Sequence, residues 1–210
     1  MKLAVKCKSF HPTLACLVYL GLACAFAGCG DDSGVQRIET PQHRAAPSGR
    51  PAPVRVDGLD TLDVAGLRSR IVGHGRGTLV SVWASWCGSC RDEIPMLLGL
   101  RDAFASSGVD MVFVSADEPS AYEAAVKAMR EWGGPLPVLA VAGSMKTFRA
   151  ALSPNWHGAI PATFLFDATF KLRHLWEGPV YDHEISPIVQ GFLAGDAIDG
   201  ETRPALRGGP

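Results

Sequence analysis

The chain has 210 residues, of which 47% are hydrophobic and 20% are charged, and its formal net charge is only -1. A chain of this length holds one domain of about 150 residues with extensions at its ends, and it is long enough to bury a hydrophobic core. The balance of charge excludes both the basic surplus of nucleic-acid-binding proteins and the acidic excess of a wholly disordered chain, so we expect no nucleic-acid partner.

The N-terminal segment has the layout of a secretory signal. Lys2, Lys6 and Lys8 precede an apolar run over residues 13–27 that ends in small residues. This run is shorter than the roughly 20 residues that a membrane-spanning helix needs. We therefore predict a signal peptide over residues 1–28 and not a permanent transmembrane anchor.

Two routes of processing fit the end of this signal. Phe26-Ala27-Gly28-Cys29 is similar to a bacterial lipoprotein box, which leaves Cys29 as the lipidated first residue, whereas Ala25-Phe26-Ala27 fits ordinary cleavage and release. The polar tract over residues 30–34 favours lipidation. Residues 29–53 are rich in Gly, Pro, Ser and Arg, so we predict a flexible, lipid-anchored linker in the periplasm or elsewhere in the cell envelope.

Hydrophobic periodicity predicts the first elements of the folded body. A short strand is expected at Val54–Val56, followed by a helix for which Asp63 is the N-cap and which ends at Gly73. The apolar, β-prone run Leu79–Trp83 predicts a buried strand, and a helical pattern to about Phe104 follows it. The apolar face of this helix should pack on the sheet and leave the N-terminal end of the helix at the surface.

Cys87 and Cys90 lie at the junction between that strand and that helix. The other four cysteines all precede residue 30, and a body with one closely spaced pair is not a disulfide-stapled scaffold. Backbone N–H groups and the helix dipole stabilise a thiolate at Cys87, and the helical turn brings Cys90 beside it, as thiol-disulfide exchange requires. A disulfide that only clips the chain is the alternative, but so short a loop stabilises the fold little.

The remaining elements follow from apolar patterns separated by Gly, Pro and Asp. From Gly195 on, Gly, Pro and charged residues dominate, which predicts a flexible C-terminal tail over residues 195–210. In chain order, the predicted elements are a strand at Val109–Val114, a helix opened by Pro119, a strand at Leu136–Val141, a helix capped by Ser144, a loop at 153–160, a hairpin of Ala162–Phe166 and Phe170–Trp176, and a closing helix around Ile185–Leu193.

Three separated motifs occur in the order Trp83-Ala84-Ser85-Trp86-Cys87-Gly88-Ser89-Cys90, Glu93-Ile94-Pro95 and Gly158-Ala159-Ile160-Pro161-Ala162-Thr163. Together they resemble the thioredoxin superfamily, and within it the envelope-anchored TlpA/ResA-like branch. The resemblance implies an α/β, thioredoxin-like domain over residues 54–194, with a central mixed β-sheet flanked by helices. It also implies an extra helix-strand insert, from Glu118 to about Ala142, before a cis-proline loop.

The resemblance implies a role for the residues of the first two motifs. Cys87 is the expected nucleophile and Cys90 the resolving thiol, so the redox group is their disulfide and no further cofactor is expected. Glu93 matches the acidic residue that is associated with proton handling at the second thiol. A surface glutamate that merely complements the helix N-terminus is the alternative for Glu93.

The expected substrate-binding residues are Trp86, Ile160 and Pro161. The resemblance implies that Pro161 is cis and faces the cysteines, in a bent segment that offers backbone groups to an extended substrate. The alternative is a trans proline at an ordinary strand start. Trp86 suits an apolar contact surface, although it also suits a partly buried core position. His157 precedes this loop, where it either tunes the thiolate, touches substrate, or is only a polar loop residue.

Two departures limit what the resemblance implies. Thioredoxin keeps a buried aspartate six residues before the first cysteine, where this chain has Ser81, so Glu93 is left as the candidate proton carrier. The dipeptide between the cysteines is Gly88-Ser89 and not Gly-Pro, which leaves the reduction potential open.

These observations favour an envelope thiol-disulfide oxidoreductase that acts as a reductant on cysteine-containing protein substrates. The resemblance suggests cytochrome c maturation, in which haem-attachment cysteines are kept reduced, and it implies a membrane thiol-disulfide electron donor. A copper or zinc binding module, with Cys87 and Cys90 as soft ligands, is the alternative, although no histidine lies at a short fixed spacing from them. A peroxidase of similar fold is disfavoured, because neither cysteine has the Pro-x-x-x-Thr-x-x-Cys pattern.

Overall fold

The computed structural model of the chain describes residues 55–202. The predicted signal peptide, the linker with its lipidation site Cys29, and the tail after residue 202 lie outside the described residues. Within residues 55–202, none of the helices combines the length and the apolarity needed to cross a bilayer. The elements are β1 Leu59–Leu62, α1 Val64–Ile71, β2 Gly77–Trp83, α2 Gly88–Ala105, β3 Val109–Ser115, a 3₁₀ turn Pro119–Ala121, α3 Tyr122–Glu131, β4 Val138–Val141, α4 Met145–Leu152, β5 Ala162–Asp167, β6 Leu172–Glu177, α5 Asp182–Ala194 and β7 Gly200–Thr202.

The seven strands form one mixed sheet in the order β1-β4-β3-β2-β5-β6-β7. Strands β1 to β4 are parallel to one another, β5 is antiparallel to both β2 and β6, and β7 is parallel to β6. Helices α2, α3 and α5 contribute buried side chains to the apolar cluster on one face, and α1 and α4 to the cluster on the other. This arrangement confirms the predicted α/β, thioredoxin-like fold class.

Strand β2 is the central strand that leads into the cysteine pair. All seven of its residues are buried, because helices cover both faces of the sheet, and this is why its sequence is an apolar run without alternation. It pairs with β3 along its full length and with β5 over six residue pairs, from Gly77 to Val82. The start of the following helix is therefore attached to the most constrained part of the sheet.

The predicted helix-strand insert is present as α3 and β4. Strand β4 pairs with β1 over its whole length and with β3 at only two residue pairs, so it lies between these two strands. Helix α3 places Ala125, Val126 and Met129 in the core, as its apolar periodicity predicts. The insert therefore adds a helix on the face that also carries α2.

The structure corrects two element boundaries. Val54 of the strand predicted at Val54–Val56 lies outside the described residues, and the prediction is wrong for the other two. The Leu59 N–H donates to the Val56 carbonyl (3.1 Å) in a turn that contains Gly58 at φ 82°, and the first strand of the described part begins at Leu59. The tail predicted from Gly195 is wrong for Gly200–Thr202, which pairs with β6. Both corrections depend on pairing between distant segments, which local composition does not encode.

Candidate active site

Cys87 is the N-cap residue of α2, at the point where the chain leaves β2. Its backbone is extended (φ -88°, ψ 105°), and its Sγ accepts a hydrogen bond from the Cys90 N–H at 3.2 Å. The Ser89 hydroxyl also lies 3.7 Å from this sulfur. The sulfur of Cys87 therefore occupies the position at a helix N-terminus that favours negative charge.

Cys87 and Cys90 are joined in a disulfide, with their Cα atoms 5.3 Å apart. The cysteine end of the helix lies at the surface as expected, with Gly88 and Arg91 exposed, but the cysteines themselves are buried: Cys87 is 6% exposed and Cys90 is 1% exposed. The neighbouring Trp86 is 70% exposed, which removes the alternative that Trp86 belongs to the core.

An open groove of about 480 Å³ lies beside Cys87. One wall comes from the residues around the nucleophile and the other from α3 of the insert. An ion pair between Lys127 and Glu131 (3.9 Å) lies on the α3 side, where Trp132 packs edge to face against Trp83. The residues that line the groove are Ser85, Trp86, Cys87, Gly88, Arg91, Ala124, Lys127, Ala128, Glu131 and Trp132.

Glu93 lies one helical turn after Cys90 and is only 5% exposed, so the alternative of a surface glutamate is wrong. Burial raises the pKa of Glu93 from 4.5 to about 7, because a carboxylate is poorly solvated there. The Val180 N–H donates to Oε2 at 3.2 Å and opposes this rise. The nearby Thr163 hydroxyl also lowers the pKa of Glu93. Among residues 55–202, neither that hydroxyl nor Oε1 of Glu93 has a partner within hydrogen-bonding distance.

Ser81 occupies the position at which thioredoxin has a buried aspartate. It lies in β2 directly opposite Thr163 of β5, and both residues are buried. Neither hydroxyl has a hydrogen-bond partner in the part of the chain that the structure describes. Because Thr163 also lies near Glu93, these three side chains form a buried polar cluster on the face of the sheet that carries the cysteines.

The peptide bond between Ile160 and Pro161 is cis, so the alternative of a trans proline is wrong. Ile160 is half-buried against the apolar cluster that contains both cysteines, and Pro161 is buried. The Pro161 carbonyl accepts a hydrogen bond from the Gly178 N–H (2.8 Å) and is therefore already engaged.

The loop before Ile160 is held by Glu177, a residue that the sequence analysis did not single out. Its buried carboxylate accepts hydrogen bonds from the His157 N–H (3.1 Å) and the Ala159 N–H (3.4 Å). The exposed His157 ring lies 3.4 Å from the same carboxylate through Nδ1. Through these contacts with Glu177, His157 helps to hold the loop before Ile160 in its position.

Asp117 is a second buried carboxyl group that the sequence analysis missed. It follows β3, and its oxygens accept hydrogen bonds from Ser85 and Ser115. A polar Ser-x-Asp sequence that begins at the last residue of a buried strand is a signal that points to this edge of the sheet. Among residues 55–202, no group of three or more His, Cys, Asp or Glu side chains is arranged to hold a metal ion.

Three curated proteins have similar sequences. HelX of Rhodobacter capsulatus, a thiol:disulfide interchange protein, is 30% identical over 59% of this chain and 64% of that protein. DsbE of Allochromatium vinosum, also a thiol:disulfide interchange protein, is 32% identical over 58% of this chain and 64% of that protein. The thiol-disulfide oxidoreductase ResA of Geobacillus thermodenitrificans is 24% identical over 59% of this chain and 67% of that protein. The chain thus spans less than two thirds of HelX and DsbE.

A solved structure of a thiol:disulfide interchange protein from Chlorobium tepidum aligns with 57% of this chain and 81% of its own, at 24% identity and a TM-score of 0.45. The relatives named ResA confirm the predicted resemblance to the ResA-like branch of the thioredoxin superfamily. The sequence profile of the AhpC/TSA family matches residues 61–175, a segment that holds both cysteines, Glu93 and Pro161. Since this match covers more than half of the sequence, the chain belongs to the AhpC/TSA family.

Proposed function

We propose that this protein is a thiol-disulfide oxidoreductase of the bacterial cell envelope that reduces disulfides in protein substrates. The observation that carries the proposal is the Cys87–Cys90 disulfide at the N-terminus of α2, with the buried Glu93 one turn further on. The names of the relatives, which describe thiol-disulfide interchange, support it. The redox group is the cysteine pair itself.

The reaction starts from the reduced pair. The Cys87 thiolate attacks one sulfur of the substrate disulfide, the substrate S–S bond breaks, and a mixed disulfide forms while the released substrate thiolate takes up a proton. Cys90 then gives its proton to the Glu93 carboxylate and attacks the Cys87 sulfur. The second substrate thiolate leaves, so two electrons have passed to the substrate and the Cys87–Cys90 disulfide has formed.

Glu93 suits the proton transfer because its pKa of about 7 lets it accept or release a proton near neutral pH. Cys90 is buried, so its thiolate is poorly solvated and the thiol needs a nearby acceptor to which it can give its proton. Ser81 offers only a hydroxyl at the position of the thioredoxin aspartate. We therefore assign Glu93 as the general acid-base group for Cys90.

The groove beside Cys87 is the proposed substrate-binding surface. Trp86 supplies an exposed apolar contact, and α3 of the insert supplies the opposite wall. The half-buried Ile160 lies against the same apolar cluster as the cysteines, so we assign its backbone to the extended substrate segment. The substrates are proteins with a disulfide in an accessible segment, and the haem-attachment cysteines of apocytochrome c are one candidate.

The proposed location comes from the N-terminal sequence, in which the predicted signal peptide over residues 1–28 is followed by Cys29 of the lipoprotein-like box. Metabolic labelling with a radioactive fatty acid tests the anchor in wild type and Cys29→Ser side by side. Label in wild type alone supports the anchor, and unlabelled wild type overturns it. An anchored protein of this kind requires a membrane dithiol to reduce Cys87–Cys90 again after each turnover.

Covalent trapping tests the proposed reaction. Cys90→Ser removes the resolving thiol, so this variant should accumulate mixed disulfides with its substrates through Cys87. Cys87→Ser is the matched control and should trap almost nothing. Equal trapping by both variants overturns the assigned roles, and mass spectrometry of the trapped proteins identifies the substrates.

A further inference from the structure

Asp117 is a buried carboxyl group that the reaction described above does not use. It is 4% exposed, and a carboxylate in such a place is costly unless its oxygens are bonded. Both oxygens are occupied. Oδ2 accepts from the Ser85 N–H (2.9 Å) and the Ser115 hydroxyl (2.8 Å), and Oδ1 accepts from the Ser85 hydroxyl (2.7 Å).

Two of these three hydrogen bonds go to the turn that presents the nucleophile. The Cys87 N–H donates to the Ala84 carbonyl (3.1 Å), so Ser85 and Trp86 are the central residues of a tight turn. Asp117 holds Ser85 by both its backbone and its side chain. Because these two bonds hold Ser85 in place, they fix the direction in which the backbone continues to Trp86 and Cys87.

A purely structural explanation is that Asp117 joins β3 to β2. These strands are already paired along their full length, from Gly77–Val109 to Trp83–Ser115, and the Ala116 N–H donates to the Trp83 carbonyl at 2.7 Å. Strands β2 and β3 are therefore held together by backbone hydrogen bonds up to the residue at which the turn begins. The contribution of Asp117 falls on the turn beyond the last strand pair.

We propose that Asp117 is a positioning residue for thiol-disulfide exchange, which holds Ser85 so that the Cys87 sulfur stays aligned with the N-terminus of α2. This inference rests on the proposed function. The attacking sulfur must meet the substrate disulfide in line, and a misplacement of about 1 Å costs a reacting group about 100-fold in rate. The alignment also keeps the sulfur beside the Cys90 N–H, which lies 3.2 Å away.

The test compares Asp117→Ala, Asp117→Asn and Ser85→Ala with Ser144→Ala as a matched control. Ser144 caps α4 through its hydroxyl (3.4 Å to the Thr147 N–H), so its loss removes a serine hydrogen bond elsewhere in the fold. The first measurement is the rate of alkylation of Cys87 by iodoacetamide in a Cys90→Ser background, at a pH where only part of the wild-type thiol is ionised, so that the rate follows the fraction of thiolate. The second is the kcat and KM for reduction of insulin disulfides with dithiothreitol as electron donor.

We expect Asp117→Ala to lower the alkylation rate, because the displaced sulfur is less ionised, and to lower kcat by about tenfold or more, with KM changed by less than about threefold. Asp117→Asn keeps an acceptor oxygen, so its alkylation rate and kcat should be higher than those of Asp117→Ala. Both values for Ser85→Ala should lie between those of Asp117→Asn and wild type. Adding Ser85→Ala to Asp117→Ala should cause no further loss, because both act through the same bonds. Ser144→Ala should lower stability and leave both rates within about twofold of wild type.

Rates for folded Asp117→Ala and Ser85→Ala that match those of Ser144→Ala overturn the proposal. If Asp117→Ala does not fold, Asp117→Asn and Ser85→Ala decide the question, because each leaves other bonds of the cluster intact. Alkylation needs no protein substrate. A wild-type protein that fails to reduce insulin therefore overturns the proposed function, while the alkylation rates still test the positioning role.

Discussion

Replacing the buried Glu93 with glutamine should change how the stability of the protein depends on pH. In the folded protein the pKa of Glu93 is raised to about 7, whereas the unfolded chain has the ordinary value of 4.5. Between these values the folded state holds a proton that the unfolded state has lost, so the free energy of unfolding falls as pH rises. Stability from this group is complete below pH 4.5 and is lost as pH passes through about 7.

The magnitude follows from the same two values. Each pH unit between them is worth about 1.4 kcal/mol, so the interval from 4.5 to about 7 corresponds to about 3 kcal/mol. Glu93 is 5% exposed, so solvent screening takes little from this figure. Glu93→Gln has no proton to lose and keeps a side chain of nearly the same shape. Relative to wild type, the variant should therefore gain about 3 kcal/mol across this interval.

Urea unfolding of the oxidised proteins at several pH values from about 4 to about 8 measures this difference. The disulfide keeps Cys87 and Cys90 from titrating, and all other groups cancel when the two proteins are subtracted. Glu123→Gln, a change at an exposed glutamate of α3, is the matched control. A difference between wild type and Glu93→Gln that stays constant with pH would refute the burial argument.

Three further predictions concern the reaction and the core beneath it. Glu93→Gln should slow resolution of the mixed disulfide and remove a step near pH 7 from the pH-rate profile, so an unchanged profile speaks against the assigned proton transfer. Trp86→Ala should raise KM for a protein disulfide by about 3- to 10-fold and leave the urea midpoint almost unchanged, because the indole is 70% exposed. Leu97→Ala should lower the free energy of unfolding by about 2–5 kcal/mol, since Leu97 is fully buried under the active-site helix, and a loss well under about 1 kcal/mol in urea unfolding would contradict this packing.

The parts of the fold that depend on local sequence could be predicted well. The apolar run of β2, the Asp63 and Ser144 caps and the periodicity of α3 each express a local physical preference, and the structure has these elements. Strand β1 could not be placed, because Val54–Val56 has an equally β-prone sequence and only pairing with β4 selects Leu59–Leu62. The parallel pairing of β7 with β6 has the same origin.

The candidate site could be predicted only in part, for a related reason. The spacing of Cys87 and Cys90 and the position of Pro161 are visible in the motifs, and the structure has the disulfide and the cis bond there. The burial of Glu93 depends on Val180, which lies 87 residues further along the chain. Asp117 likewise meets Ser85 only after β2 and β3 have paired.

The pairing of β7 with β6 protects one side of the molecule. Trp176 and the two residues before it would otherwise present a row of unused backbone donors and acceptors at the end of the sheet. Such a row is a template on which a strand from a neighbouring molecule can add. The residues from Gly200 to Thr202 pair with this row from within the same chain. The Arg173 side chain donates a hydrogen bond to the Ile198 carbonyl (3.1 Å) and so holds the segment that leads to them. This short segment thus discourages edge-to-edge aggregation on this side of the sheet.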